Sequence, residues 1–323
     1  MTTILPSLPV LVLCPHARCN CRCVMCDIWK DTSQSEIAAE DLERHLPDIE
    51  KLSVKWVVFS GGEPLMHSDL FRLSNMLRSR QIRVTLLSTG LLLDRYAGQI
   101  TTSIDDVIVS LDGPPDIHDR IRRVPGAFAK MERGIRAIHE LNSGFPISAR
   151  CTIQSLNYSS PSDTVRLAKQ LGLKSISFLA ADLTSQAFNR FTPWEAYRQA
   201  QVALTLQEVV ALEREFEVVN KEWQGTGFVA ESAEKLRRIP QHFRAQLGLS
   251  HLQAPLCNAP WVSAVVEADG RVRPCFFHRP IGSLKSHTLM QVLNGFEAQQ
   301  FRASLDIATN PVCSRCVCSL NWK

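Results

Sequence analysis

Apolar and polar positions follow two different periods between residue 10 and about residue 180. Short apolar runs rich in Val, Ile and Leu are typical of buried strands, and the stretches between them place apolar residues at helical spacing. This pattern predicts strands at residues 10–14, 54–60, 82–87, 107–111, 147–153 and 174–179, and helices at residues 36–49, 69–80, 91–100, 127–142 and 161–171.

Strands that alternate with helices in this way predict the α/β fold class, with parallel strands covered by helices. Six β/α units form either an open sheet or a partial barrel, and in both cases the functional groups lie at the carboxyl ends of the strands. Polar motifs follow three of the predicted strands: Ser60-Gly61-Gly62-Glu63, Ser88-Thr89-Gly90 and Asp112-Gly113. We therefore expect the functional site at this edge of the sheet.

The pattern changes after the sixth unit. Residues 192–219 predict one long helix with Pro193 in its first turn, and residues 221–251 are mixed, Gln-rich and basic, as in a link or a cap. Further on, the sequence predicts a β-hairpin that turns at Asp269-Gly270 and then a helix at residues 286–305. We expect three parts: a core at residues 1–190, a helical bridge at 191–254 and a small domain at 255–323.

Composition narrows the functional classes. The 323 residues are 45% hydrophobic, which is ample for a buried core, and a net charge of +4 is too small to indicate nucleic-acid binding. The amino-terminal segment carries no basic export signal and is too short to span a membrane, so we expect a cytoplasmic protein with no membrane partner. In a reducing cytoplasm, the eleven cysteines are expected to bind metal more often than to form disulfides.

Cys19, Cys23 and Cys26 follow the first predicted strand with C-x3-C-x2-C spacing. Three thiolates on a tight loop suit three corners of a cubane iron–sulfur cluster, and one iron is then left open to a substrate or cofactor. Zinc is the alternative metal, with a fourth ligand from Cys21, Cys14 or His16. By default we interpret the cysteines at positions 14, 21 and 151 as packing residues, since free cysteine is commonly buried.

The loop at residues 18–29 resembles the signature loop of the radical S-adenosylmethionine (SAM) superfamily. Met25 departs from that signature, which usually has an aromatic residue just before the third cysteine. Ser60-Gly61-Gly62-Glu63-Pro64 resembles the GGEP motif of the family, and residues 109–114 with 118–122 resemble its fourth-strand region. The resemblance covers residues 10 to about 180 in the family's order.

The resemblance implies a [4Fe–4S] cluster on Cys19, Cys23 and Cys26, with SAM on the open iron. It also implies that the loop formed by Gly61, Gly62, Glu63 and Pro64 receives the amino group of SAM. Ser88, Ser110 and Asp112 are predicted to bond its ribose hydroxyls or its carboxylate. Arg150 on the fifth strand is predicted to bind the carboxylate of SAM, and Arg122 is the alternative residue for this role. For the serines and Arg150, turn capping and simple surface packing are the structural alternatives.

In the chemistry that the resemblance implies, one electron breaks a carbon–sulfur bond of SAM, which gives methionine and a 5′-deoxyadenosyl radical. That radical abstracts hydrogen from an unactivated C–H bond, while the protein positions the reactants and excludes water. The implied electron donor is a flavodoxin- or ferredoxin-type protein. Cys14 ends the first strand close to the cluster loop, and we raise the hypothesis that it donates hydrogen to a substrate radical.

The carboxyl-terminal cysteines resemble the SPASM/twitch extension of many radical SAM enzymes. With five cysteines present, one auxiliary [4Fe–4S] cluster is the better fit, and the expected ligands are Cys257, Cys275, Cys313 and Cys316, with Cys318 as a competing fourth ligand. A structural zinc knuckle and a two-cluster domain are the alternatives. We interpret His278 as a structural residue.

The predicted function is oxidation, epimerisation or cross-linking, with a ribosomally made peptide as the leading substrate. The alternative substrate is a small molecule such as a sugar, an aminocyclitol or a cofactor precursor. A non-catalytic iron–sulfur or zinc redox sensor is the alternative of another class, and the intact GGEP motif argues against it.

Overall fold

The computed structural model describes residues 3–190, 192–251 and 254–323, and within them nine strands form one sheet in the order β6-β5-β4-β3-β2-β1-β7-β8-β9. The strands are β1 (Val10–Leu13), β2 (Trp56–Phe59), β3 (Arg83–Ser88), β4 (Asp106–Ser110), β5 (Ile147–Ile153), β6 (Ile176–Ala180), β7 (Ser263–Val266), β8 (Arg271–Arg273) and β9 (Gly282–Ser283).

The first six strands are all parallel to their neighbours, and their order in the sheet follows their order in the chain. Their apolar side chains are largely buried between sheet and helices, as the continuous hydrophobic runs predict for a parallel sheet. The expected α/β partial barrel of six units is confirmed.

Six helices follow the first six strands or lie between them: α1 (Ala39–Lys51), α2 (Leu70–Arg78), α3 (Leu93–Ser103), α4 (Pro115–Arg122), α5 (Ala127–Leu141) and α6 (Pro161–Gln170). In α1 the buried face includes the apolar residues Leu42, Leu46 and Ile49, whereas α4 buries His118, Ile121 and Arg122. The hydrophobic pattern did not predict α4, which begins with Pro115 at its first position and is rich in charged residues.

The predicted single helix at residues 192–219 is wrong, because the structure divides it into α7 (Ala196–Ala200) and α8 (Leu206–Trp223). Thr205 starts a new helix there, since its side chain accepts from the Glu208 amide while the Glu208 carboxylate accepts from the Thr205 amide. The helix α9 (Ala233–Gln246) then packs on α8 and β6. The expected boundary at residues 190–191 includes Phe191, which lies outside the described residues.

The carboxyl-terminal hairpin is confirmed, with β7 and β8 antiparallel around Asp269-Gly270. Its first strand starts at Ser263, because the residues before it form the short helix α10 (Ala259–Val262). The predicted helix at residues 286–305 is interrupted at Gly295, which separates α11 (Leu289–Asn294) from α12 (Phe296–Ser304).

No helix within the described ranges has the length and apolar character needed to cross a membrane.

The hairpin also joins the barrel sheet, because β7 pairs in parallel with β1 from Val10–Ser263 to Leu13–Val266. The carboxyl-terminal region thus covers the edge that β1 would otherwise present. At the opposite edge, the bridge segment covers β6 through a short pairing of Val229 with Ile176. Both edges of the parallel sheet are therefore paired.

Candidate functional site

The three cysteines of the amino-terminal loop converge at the carboxyl end of β1. Cys23 is buried in a small cluster with Cys21, Leu91 and Ala127, and Cys19 and Cys26 pack against the same cluster. The Cys26 amide donates to the Cys23 carbonyl over 3.3 Å, which closes a tight turn between the two thiols. A thiol hydrogen bond with Cys21 and the charge of Arg122 lower the pKa of Cys23 to about 7. This set of three soft thiolate donors fits three corners of an iron–sulfur cubane.

The Gly61-Gly62 turn after β2 presses directly against this loop. A Cβ atom at Gly62 would lie 1.9 Å from the carbonyl oxygen of Arg18, and Gly61 has a φ of +103°. The Glu63 amide also donates to the Arg18 carbonyl over 2.9 Å. The two glycines are required here because no side chain fits between the turn and the cysteine loop.

His16 ties the same two loops together. Its Nδ1 accepts from the Arg18 amide at 3.0 Å, so Nε2 carries the proton and donates to the Glu63 carbonyl over 2.8 Å. Burial lowers the pKa of His16, which favours this neutral form. The backbone carbonyl of Glu63 is thus occupied by the protein itself.

The Glu63 carboxylate is fully buried and points to the end of β3. It accepts from the amides of Leu65 and Thr89, at 3.1 and 2.6 Å, and from the hydroxyls of Thr89 and Ser88, at 2.6 and 3.0 Å. Burial raises its pKa, against the effect of these hydrogen bonds. In this arrangement Glu63 and Ser88 join the ends of β2 and β3, and their predicted contacts with SAM stay predictions.

Asp112, at the end of β4, is fully buried and forms an ion pair with Arg122 at 2.6 Å. It also accepts from the Thr152 amide at 3.1 Å. The Arg122 guanidinium reaches in turn to the Cys23 thiol, with Nη1 3.5 Å from Sγ. The ion pair therefore packs against the cysteine loop. The Arg122 guanidinium is already bonded to Asp112 and Cys23.

Ser110, Arg150 and Ser177 lie in register on β4, β5 and β6, and face the barrel interior. Arg150 is exposed there and donates from Nε to the Ser177 hydroxyl over 3.2 Å. The structure thus brings Ser110 and Arg150 together beside an open interior. Their assignment to SAM stays a prediction.

Sequence reasoning missed a covering segment, residues 182–190 and 192–202, that lies on the cysteine loop. Within it, Trp194 donates from its indole nitrogen to the Asp27 carboxylate over 2.6 Å, and Arg198 donates to the Val24 carbonyl. The buried pair of Arg190 and Asp182, at 2.8 Å, holds the segment from inside. In the sequence, the signal for the contact with Trp194 was Asp27, the aspartate that directly follows Cys26.

The four expected auxiliary ligands line one small pocket: Cys257, Cys275, Cys313 and Cys316. They come from before α10, from the end of β8 and from the tail after α12. Among the described residues, Cys318 is absent from the lining, and its carbonyl accepts a hydrogen bond from the Cys316 thiol at 3.1 Å. The four cysteines thus share one pocket, and their ligation of a second cluster stays a prediction.

An open cleft of about 750 Å³ lies beside this pocket. The covering segment forms one wall, with Asp182 and Gln186, and the carboxyl-terminal region forms the other, with His278, Arg279 and Arg315. The covering segment follows β6, so this wall of the cleft starts just after the carboxyl end of that strand.

Cys14 is buried at the end of β1, and burial raises its pKa to about 12. A Cβ atom at Gly61 would lie 3.0 Å from the Cys14 Cβ, so the thiol sits beside the glycine turn. Cys151 is buried in the core of the barrel wall. The hypothesis that Cys14 donates hydrogen stays a prediction.

Two family models match this chain. The radical SAM superfamily model covers residues 13–168, and the SPASM iron–sulfur cluster-binding domain model covers residues 257–317. The chain belongs to the radical SAM superfamily of SAM-dependent enzymes, with a SPASM domain at its carboxyl side. Its cofactors are a [4Fe–4S] cluster and SAM, together with auxiliary iron–sulfur binding in the SPASM domain.

The chain is also similar to parts of other proteins. It is 32% identical over 153 residues to the Fe-coproporphyrin III synthase of Methanosarcina barkeri, which is 46% of this chain and 38% of that protein. It is 27% identical over 177 residues to the PqqA peptide cyclase of Granulibacter bethesdensis, 53% of this chain and 46% of that protein. The matches therefore span less than half the length of these relatives.

A similar fold occurs in SuiB of Streptococcus suis bound to S-adenosylmethionine. The TM-score is 0.70 at 14% identity, over 98% of this chain and 74% of SuiB. SuiB has also been solved with its precursor peptide SuiA, at the same TM-score. At this level of identity the likeness is one of fold.

Proposed function

We propose that this chain cleaves SAM reductively at a [4Fe–4S] cluster on Cys19, Cys23 and Cys26 and removes hydrogen from a C–H bond of its substrate. The observation that carries the proposal is the convergence of these three thiols at the carboxyl end of β1, against a turn that only glycine fits. Three thiolates leave one corner of a cubane without a protein ligand, as the binding of SAM requires.

The chain's own residues position and shield this site. Arg122 holds a positive charge 3.5 Å from the Cys23 thiol, which offsets part of the negative charge of a thiolate-bound cluster. Ser110 and Arg150 face the interior where the carboxylate and ribose of SAM are expected. Trp194 and Arg198 hold the covering segment over the loop, and this limits the access of water to the radical.

The proposed substrate is a ribosomally made peptide, which the enzyme oxidises, epimerises or cross-links. The open cleft of about 750 Å³ lies between the segment that follows β6 and the carboxyl-terminal region, and its volume is in the range of ligand-binding clefts. PqqA peptide cyclase is among the relatives, and SuiB shows a peptide bound on this fold.

A small cofactor precursor is the second candidate, because Fe-coproporphyrin III synthase has the higher identity of the two relatives. Two exposed arginines of the cleft, Arg279 and Arg315, suit carboxylate groups on such a substrate. An acidic peptide would use the same two side chains.

We further propose one auxiliary [4Fe–4S] cluster on Cys257, Cys275, Cys313 and Cys316, and a flavodoxin- or ferredoxin-type electron donor. The support for a single cluster is that four thiols share one pocket while Cys318 lies beyond it.

Anaerobic reconstitution tests the cluster assignment. Iron and sulfide are counted in the wild-type chain and in a variant with Cys19, Cys23 and Cys26 all changed to Ala. We expect about eight irons in the wild type and about four in the variant, with 5′-deoxyadenosine formed from SAM only by the wild type. Wild type with about four irons would refute the auxiliary cluster, and zinc in place of iron at both sites would refute the whole proposal.

The substrate is tested separately, with deuterium transfer into 5′-deoxyadenosine as the measurement. Deuterated peptides translated from genes neighbouring this one are compared with deuterated coproporphyrin compounds. Transfer from a peptide alone supports the first candidate, and transfer from a tetrapyrrole alone replaces it with the second.

A further inference from the structure

His278 contacts a predicted ligand of the auxiliary cluster. Its Nε2 lies 3.3 Å from Sγ of Cys313, and both side chains are buried, with exposed fractions of 7% and 8%. The imidazole ring packs against Phe301 with 4.8 Å between the ring centroids, edge to face. This contact fixes the plane of the ring and keeps Nε2 directed at the sulfur.

The backbone of His278 is held from both sides as well. Its amide donates to the Cys275 carbonyl over 3.3 Å, and its carbonyl accepts from the Arg273 guanidinium over 2.8 Å. Arg273 is itself held by Glu267 at 2.9 Å. His278 is therefore held in place by several contacts within the protein, as expected of a residue that supports a metal ligand.

His278 also lines two neighbouring spaces in the structure. It is part of the lining of the pocket that contains the four cysteines and also of the open cleft beside that pocket. A metal-bound cysteine is a thiolate and accepts hydrogen bonds only, so the nitrogen facing Cys313 must carry a proton. The chain thus places a side-chain N–H donor on the proposed auxiliary cluster, at a residue that also lines the open cleft.

We propose that His278 is a positioning residue that donates a hydrogen bond to the Cys313 thiolate and raises the reduction potential of the auxiliary cluster. This inference rests on the proposed auxiliary cluster. A hydrogen bond to a ligand sulfur withdraws negative charge and stabilises the reduced cluster, which carries one more electron. The donor thereby makes the cluster a better electron acceptor.

The first test is a redox titration of the reconstituted full chain, followed by electron paramagnetic resonance. His278→Phe keeps an aromatic ring and removes the N–H donor. We expect the reduced-to-oxidised ratio of the cluster at a given potential to fall about tenfold, which corresponds to a reduction potential lower by about 59 mV for one electron. His278→Gln keeps an N–H and should retain most of the wild-type potential. The exposed His287→Phe is the matched control and should leave it unchanged. A wild-type potential in His278→Phe with the cluster fully assembled would overturn the proposal.

The second test needs no variant at position 278. The Cys19/Cys23/Cys26→Ala chain, labelled with 15N-histidine, is reduced, and the nitrogen coupling to the remaining cluster is measured by pulsed resonance. A weak coupling is expected for a hydrogen-bonded ring. No coupling overturns the proposal, and so does a strong coupling, which would make His278 a ligand. If iron analysis finds no cluster in this chain, the proposed auxiliary cluster has failed, which is a different result.

Discussion

Gly62 shows how strongly a single position constrains this site. The Arg18 carbonyl lies so close that a Cβ atom would stand 1.9 Å from its oxygen, and backbone cannot move aside as a flexible side chain can. The glycine turn thus binds the cysteine loop to the barrel, in addition to any approach that it allows to SAM. Local composition predicted the turn, but only the tertiary structure shows which atom excludes a side chain.

We expect Gly62→Ala to displace the cysteine loop and to reduce the iron content from about eight to about four per chain, with loss of SAM cleavage. Iron analysis after reconstitution measures this. Gly98→Ala is the matched control, since nothing lies within 4 Å of the position that a Cβ atom would take there in α3, and it should stabilise the helix by about 0.5–1 kcal/mol. A Gly62→Ala chain that binds about eight irons would contradict this interpretation of the turn.

Arg122 and Asp112 form a buried ion pair at the back of the cysteine loop. Arg122→Met leaves the Asp112 carboxylate buried without its partner, so we expect the free energy of unfolding to fall by about 3–5 kcal/mol. Urea unfolding of the chain measures this. The exposed Arg120→Met, on the same helix, should change it by less than about 0.5 kcal/mol. Equal stabilities of the two variants would show that the pair contributes little.

At the scale of elements, α8 and α9 fasten the barrel wall, since α9 packs on both α8 and β6. In α9, His242 lies buried beside Phe243, with 5.6 Å between the ring centroids. Burial lowers the pKa of His242 to about 4 from its usual 6.5. The helix therefore carries a pH-sensitive contact with the core.

The sign of that pH dependence follows from proton uptake. The unfolded chain binds a proton at His242 near pH 6.5 and the folded chain only near pH 4, so this part of the stability is complete above pH 6.5 and is lost as the pH falls toward 4. His242→Leu should flatten the unfolding free energy over that window, by about 3 kcal/mol at most. Urea unfolding at several pH values measures this. The exposed His251→Leu should keep the wild-type slope, and the same slope in both variants would refute the prediction.

Elements whose ends depend on capping were harder to predict than the strands. The apolar periodicity runs on through Thr205, yet the capping box there ends one helix and begins another. The six parallel strands, by contrast, were all predicted to within a few residues, because each contains apolar residues that are buried in the core. Hydrophobic periodicity predicts which residues are buried more reliably than it predicts where a helix ends.

For the whole molecule, the carboxyl-terminal region is part of the barrel sheet and also holds the auxiliary pocket. Asn258, next to Cys257, clamps the tail: its amide donates to the Leu320 carbonyl over 2.8 Å, and its side chain bonds both the amide and the carbonyl of Trp322. Trp322 in turn contacts Trp56 of β2, with 6.3 Å between the ring centroids. The tail cysteines are thus tied to both Cys257 and the barrel.

We expect Asn258→Ala to loosen the tail and to speed the loss of the auxiliary iron to a chelator several-fold, because both side-chain hydrogen bonds to Trp322 are removed at once. SAM cleavage should persist, since the amino-terminal cysteines are untouched. Iron release followed by absorbance measures this, and the exposed Asn321→Ala on the same tail is the control. Equal release rates in the two variants would show that the clamp does not hold the pocket.

The sequence by itself determined the α/β class, the six parallel units, the hairpin and the chemistry of three clustered thiols, because these depend on neighbouring residues and their periodicity. Only the tertiary structure decided the partners of Glu63 and Asp112, the pairing of β7 with β1 and the contact of Trp194 with Asp27, which are 167 residues apart. Such contacts are set by how packed elements meet. Local pattern specifies which face of an element is buried, but it does not specify which distant residue covers that face.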